Sequence, residues 1–133
     1  MSAIHQSRAL AEAMTEKLRA YAQPQRLMIL SYLLDGEKTV GQIDSATGIG
    51  QPALSQQLAE LRRTELVRTR REAKQVHYTL ADDRIALCMR TMEAMMGGSD
   101  DPAAALQQVL QVPSGTRAPA RIPQGAAGFA RIG

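Results

Sequence analysis

The sequence predicts a mainly α-helical domain carrying a small β-hairpin. Three observations predict it. Apolar residues recur at steps of three and four through most of residues 8–96, whereas two short runs between Val67 and Leu80 alternate instead. Hydrophobic residues make up 44% of the chain, yet it holds no Trp and a single Phe, so the core must be built from aliphatic side chains and Met, which suit packed helices. At 133 residues there is room for one compact domain and an extension.

The elements follow in order. From Ser7 to Tyr21, Leu10, Ala11, Met14, Leu18 and Tyr21 fall on one stripe of an amphipathic first helix. Pro24 opens a second helix, expected to run to Leu34, with Leu27, Ile29, Leu30, Leu33 and Leu34 nearly all buried. Thr39 is suited to cap a short third helix whose inward face is Val40, Ile43 and Ala46 and which Gly48 ends. Pro52, at a first helical position, starts a fourth, with Leu54, Leu58 and Leu61 on one face and Gln51, Ser55, Gln56 and Arg62 on the other. Val67–Arg71 and Gln75–Leu80 alternate across a polar link and form a hairpin, with Val76, Tyr78 and Leu80 on one side. A last helix, Asp83–Met96, carries Ile85, Cys88, Met89, Met92 and Met95 on one stripe. Residues 1–98 are thus expected to form the domain. Residues 99–133, rich in Ala, Gly, Pro, Gln and Ser, are expected to lack fixed structure, although Ala103–Gln111 has the apolar spacing of a short helix.

Charge is local rather than general. Residues 62–74 hold Arg62, Arg63, Arg68, Arg70, Arg71 and Lys74 against Glu65 and Glu72, a surplus larger than the +3 of the whole chain. Such a patch is an electrostatic footprint for phosphates. No stretch is apolar over the roughly 20 residues that a membrane span requires, and no secretory leader is visible, so a soluble, cytoplasmic protein is expected. The single cysteine, Cys88, excludes an intrachain disulfide and fits a reducing compartment.

The order of these elements is that of a winged helix-turn-helix. In such a unit the fourth helix enters the major groove of duplex DNA, one face packed on the domain and the other offering hydrogen-bonding groups. Gln51, Ser55 and Gln56 can read base edges, and Arg62 is better placed for the backbone. Arg68, Arg70, Arg71 and Lys74 on the hairpin would reach the adjacent phosphates or minor groove. His77, between Val76 and Tyr78, is expected to point away from the core. The same fold also serves protein-interaction modules and architectural proteins that bind DNA without sequence choice, and that alternative stays open here.

Gln51-Pro-Ala-Leu-Ser-Gln-Gln-Leu-Ala-Glu-Leu-Arg-Arg, followed by Leu66-Val-Arg-Thr-Arg-Arg-Glu-Ala-Lys-Gln-Val-His-Tyr-Thr-Leu80, resembles the arsenic-repressor (ArsR/SmtB) family, as does Pro24-Gln-Arg-Leu-Met-Ile-Leu30. The resemblance spans roughly residues 9–97. It implies a homodimer joined through the first and last helices, bound to an inverted repeat and released by an inducer. Leu10, Met14, Leu18, Ile85, Cys88, Met89, Met92 and Met95 are then the expected dimer interface. Within the family the chain is most similar to the sulfide- and redox-responsive branch, whose paired cysteines match Ser31 and Met96 here. Neither can form a sulfur bridge. Thr39–Thr47 holds no Cys and the last helix no His, so the metal-sensing patterns are missing too.

Other chemistry finds little footing. Cys88 reads first as a small buried hydrophobe; thiol pairing across a dimer axis, or a copper(I) site with the neighbouring methionines, is the sharper reading. His5 and His77 have no third ligand beside them. No nucleophile–base pair or carboxylate pair stands out, and Gly48 and Gly50 lack the Lys-Ser or Lys-Thr of a phosphate loop, so neither an enzyme nor a cofactor is expected. Glu60, Glu65 and Glu72 are expected to temper the basic patch or pair with its arginines. The inducer, small molecule or redox agent, is not legible.

Overall fold

The computed structural model describes residues 3–98 and 100–111. After a 3₁₀ turn at Ile4–Gln6, helix α1 spans Arg8–Tyr21, started by the Ser7 hydroxyl, which accepts from the Leu10 amide at 3.1 Å. Gln23 caps α2 (Pro24–Tyr32) in the same way, and Pro24 stands at its first turn, where no amide hydrogen is needed. The helix predicted to reach Leu34 tightens two residues early into a 3₁₀ turn at Leu33–Asp35, and Gly36, at φ 117°, reverses the chain.

Lys38–Thr39 form a short strand, β1, that no alternation could reveal in two residues. Thr39 then accepts from the Gln42 amide at 3.2 Å while its own amide donates to Gln42 Oε1 at 2.9 Å, a reciprocal cap that starts α3 (Val40–Thr47). Gly48, left-handed at φ 67°, ends it. Ile43 is the buried residue of α3, whereas Ala46, expected to face inward, is exposed.

The turn to α4 (Ala53–Arg63) is pinned by Asp44 Oδ1, which accepts from the Gly50 amide at 2.9 Å. Pro52 lies just outside the helix rather than within it. Strands β2 (Val67–Glu72) and β3 (Gln75–Leu80) pair antiparallel in the register Val67↔Leu80, Thr69↔Tyr78 and Glu72↔Gln75. Ala73 and Lys74, both with positive φ, make the two-residue turn whose twist suits a hairpin. β1 adds to the other edge of β3, giving the order β1-β3-β2.

Helix α5 (Asp83–Met96) begins at Asp82, whose carboxylate accepts from the amides of Arg84 and Ile85. In the extension expected to lack fixed structure, residues 102–110 form a further helix, α6 (Pro102–Leu110), capped by Asp101 and lying against α5 with Leu106 and Val109 half-buried. The remainder of that extension falls outside the described residues.

The core draws on the end of α1, on α2 to α5 and on strands β2 and β3. Ile29, Leu30, Ile43, Leu54 and Leu61 are fully buried, with Leu33, Leu58, Val67, Tyr78, Ile85 and Met89 around them. The winged helix-turn-helix read from the sequence is the observed architecture.

Two expected dimer residues need correction. Ile85 and Met89 are only 7% and 2% exposed within the protomer, because the stripe on α5 turns one edge into the protomer's own core. Helix α1 behaves in the opposite way. Its buried residues are Ala20 and Tyr21 at the C-terminal end, while Met14 and Leu18 stay 38% and 61% exposed.

Candidate nucleic-acid interface

Helix α4 divides cleanly. Leu54, Leu58 and Leu61 bury one face, and Ser55, Gln56, Ala59, Arg62 and Arg63 stand exposed on the other. Gln57, between these faces, holds the helix to the scaffold. Arg26 on α2 donates through Nε to Gln57 Oε1 at 2.9 Å, and Gln57 Nε2 donates to Gln25 Oε1 at 3.4 Å. The same guanidinium donates to the carbonyls of Arg19 and Ala20 at the end of α1, where helical partners run out and the Arg19 carbonyl otherwise accepts from the Ala22 amide. Sequence reading missed Arg26 and Gln57, since pairing across 31 residues has no local signature.

Gln51 does not stand free to read a base in the way its position suggested. Its Oε1 accepts from the Ser55 amide at 3.2 Å and from the Ser55 hydroxyl at 2.6 Å, so it caps the helix and holds Ser55 in place. The Gln51 amide nitrogen and the Ser55 oxygen lone pairs remain for an outside partner. Gln56 is exposed and makes no side-chain hydrogen bond among the described residues. Arg63 pairs with Glu60 one turn back, which draws the Glu60 carboxyl below its ordinary pKa. Arg62 has no such partner among the described residues.

The wing also separates into bound and open cations. Arg70 donates to Glu37 through Nε and Nη2, each at 2.6 Å, and through Nη1 to Glu72 at 2.7 Å. With two carboxylates around it, Arg70 is a poor free contact for phosphate, which corrects its expected role. Glu37, held below its ordinary pKa mainly by the Arg70 hydrogen bonds, was absent from the sequence-derived site. His77 is likewise not turned to open solvent: only 18% of its side chain is exposed, and Nδ1 lies 3.7 Å from Glu37 Oε1. By contrast, Arg68, Arg71 and Lys74 are exposed and form no ion pair among the described residues. Glu60 and Glu72 pair with arginines as expected, whereas Glu65 sits at the bend before β2 with φ 63°.

Away from this surface, apolar side chains lie open on α1 and α5. Met14, Leu18, Cys88 and Met95 are exposed, Leu10 is half-buried, and Met92 packs partly on the core. Leu87, 46% exposed, belongs with them although it lies off the stripe read from the sequence. Burial, with smaller effects from Cys88 and Asp82, raises the Tyr21 pKa, so the phenol keeps its proton. The Ser31 hydroxyl donates to the Glu93 carboxylate, linking α2 to α5, and Met96 is exposed at the end of α5. Among the described residues, no three His, Cys, Asp or Glu side chains gather as a metal site, and no helix is long and apolar enough to cross a membrane.

Fold and exposed helix together define a winged helix-turn-helix protein. A sequence profile of the bacterial regulatory proteins of the arsR family matches residues 23–69, the segment from α2 into the wing. A biofilm growth-associated repressor from Agrobacterium fabrum is 45% identical over 78 residues, 59% of this chain and 67% of that protein. Over the curated relatives of this kind, the chain spans 60–67% of their length. The crystal structure of the transcriptional repressor BigR from Xylella fastidiosa superposes with a TM-score of 0.67 at 33% identity, covering 74% of this chain and 100% of that one. The solution structure of the homodimeric winged helix-turn-helix DNA-binding domain of Mb0332 from Mycobacterium bovis gives 0.56 at 31% identity, covering 67% and 81%. The chain belongs to the ArsR family of bacterial regulatory proteins.

Proposed function

We propose that this protein is a homodimeric transcriptional repressor, acting in the cytoplasm, that occupies an inverted-repeat operator in competition with RNA polymerase and leaves it on a signal. Residues 1–98 would supply both DNA binding and dimerisation. The observation that carries the reading is the two-sided α4: leucines fix it to the body while Ser55, Gln56 and Arg62 face outward beside the open cations Arg68, Arg71 and Lys74. Gln56 and Ser55 supply base-edge contacts, and the arginines and Lys74 supply phosphate contacts. The names of the Agrobacterium and Xylella relatives support repression.

A dimer follows from α1. An amphipathic helix whose apolar face stays in water gains nothing from being amphipathic; Leu10, Met14 and Leu18, with Cys88, Met92 and Met95 of α5, form the face we assign to a second copy. Two such protomers would set their α4 helices in successive major grooves, about 34–36 Å apart.

Genome-wide recovery of bound DNA followed by footprinting tests the proposal. Protection of one palindrome, with half-sites about one helical turn apart, is expected. Affinity indifferent to sequence would instead favour an architectural DNA-binding role.

A further inference from the structure

Among the described residues, the side-chain polar contacts that tie the wing to the body of the domain, beside the backbone pairing of β3 with β1, converge on Glu37. It stands just after the Gly36 reversal and just before β1. Its two carboxylate oxygens accept from two nitrogens of Arg70 in parallel, the two-point geometry that fixes a guanidinium in direction as well as distance. Arg70 faces His77 across the hairpin, and His77 faces Thr39 on β1, so the pair clamps all three strands in register. The third contact, from Arg70 to Glu72, carries the clamp toward the hairpin turn. Exposed ion pairs add little to folding stability, and here 51% of the Arg70 side chain is exposed. Holding an extended hairpin at one angle is what this arrangement does well.

We propose that Glu37 is a positioning residue for DNA binding: it sets the wing through Arg70 so that Arg68, Arg71 and Lys74 meet the phosphates. The inference rests on the reading that the wing contacts DNA. Arg70 is then a strut, and a neutral residue at position 37 removes affinity although it removes a negative charge from a surface that meets an anion. Simple electrostatics predicts the reverse, which makes the sign diagnostic.

The test measures binding of the full chain to a mixed-sequence duplex of about 30 base pairs, three helical turns, across a salt series. Glu37→Gln is expected to weaken binding about five- to tenfold with a shallower salt slope and a nearly unchanged melting temperature. The charge swap Glu37→Arg with Arg70→Glu, which rebuilds the pair reversed, is expected to return affinity to within about twofold of the parent. Glu37→Gln binding as tightly as the parent or tighter, or a swap that restores nothing, overturns the proposal. Arg71→Glu separates the two levels: if it too keeps full affinity, the wing does not meet DNA at all; if it alone loses affinity, only the role of Glu37 falls. Should Glu37→Gln misfold, Glu37→Asp gives the same reading, since a side chain one methylene shorter brings its carboxylate short of Arg70 from the same backbone position.

Discussion

Gln57 on α4 accepts from the Arg26 guanidinium on α2 at 2.9 Å, and through that arginine α4 is joined to carbonyls at the end of α1. One side chain therefore ties together three helices, two of which serve different partners in the proposed assembly. Gln57→Ala leaves Arg26 with backbone acceptors alone and should cost about 1 kcal/mol. Urea unfolding measures this, and amide exchange should quicken in α4 before the sheet. An unchanged midpoint would reduce the hydrogen bond to a surface detail.

The face of α4 that stays in solvent makes a prediction about specificity. Gln56→Ala or Ser55→Ala should lose about 1–3 kcal/mol on the operator while binding to random duplex changes little. Competition assays with operator and scrambled DNA would register the ratio. Equal losses on both would place these residues on the backbone instead.

Wing cations predict the complementary behaviour. Arg71→Ala or Lys74→Ala should lower affinity for every sequence and reduce the logarithmic salt slope by about 1 for each phosphate that is no longer neutralised. A slope identical to the parent's would mean that the charge never meets the DNA.

Leu18, 61% exposed on a helix that also leaves Met14 open and buries Ala20 and Tyr21 at its C-terminal end, is where a dimer should be most vulnerable. Leu18→Glu should weaken self-association by about 2 kcal/mol or more, some thirtyfold, while the protomer stays folded because the residue takes no part in its core. Sedimentation read alongside circular dichroism distinguishes the two; dimerisation at parental strength would move the interface elsewhere.

Arg70 holds the Glu37 carboxyl below its ordinary value of 4.5. A depressed carboxyl contributes to the folded state fully above that value and loses its contribution as pH falls through the lower one. The clamp should therefore persist through the neutral range and release only in acid. Following the Glu37 carboxyl carbon by nuclear magnetic resonance should give a midpoint under 4.5, and Arg70→Ala should bring it back up. A midpoint at the ordinary value in the parent would mean that the pair does not persist in solution.

Most of the secondary structure was legible because its signals are local. The three-and-four spacing of Leu54, Leu58 and Leu61, the Thr39 cap and the Gly48 stop each act within a turn or two of chain, and the alternation of Val76, Tyr78 and Leu80 set the buried side of β3. The exposed face of α4 was readable for the same reason: once the leucines face inward, helical geometry sends Ser55 and Gln56 outward.

By itself, then, the sequence determined which residues share a face and, to within a residue or two, where the longer elements begin and end. Only the tertiary structure decided what each face meets. On α5 one stripe was wide enough for two neighbours, and packing sent Ile85 and Met89 into the core while leaving Met95 outside. In the wing, four cations looked alike until a loop 33 residues away brought Glu37 to Arg70. Periodicity is set by the backbone of one element, whereas burial and ion pairing depend on what another element brings within a few ångströms, and the spacing of residues along one chain segment carries no record of that.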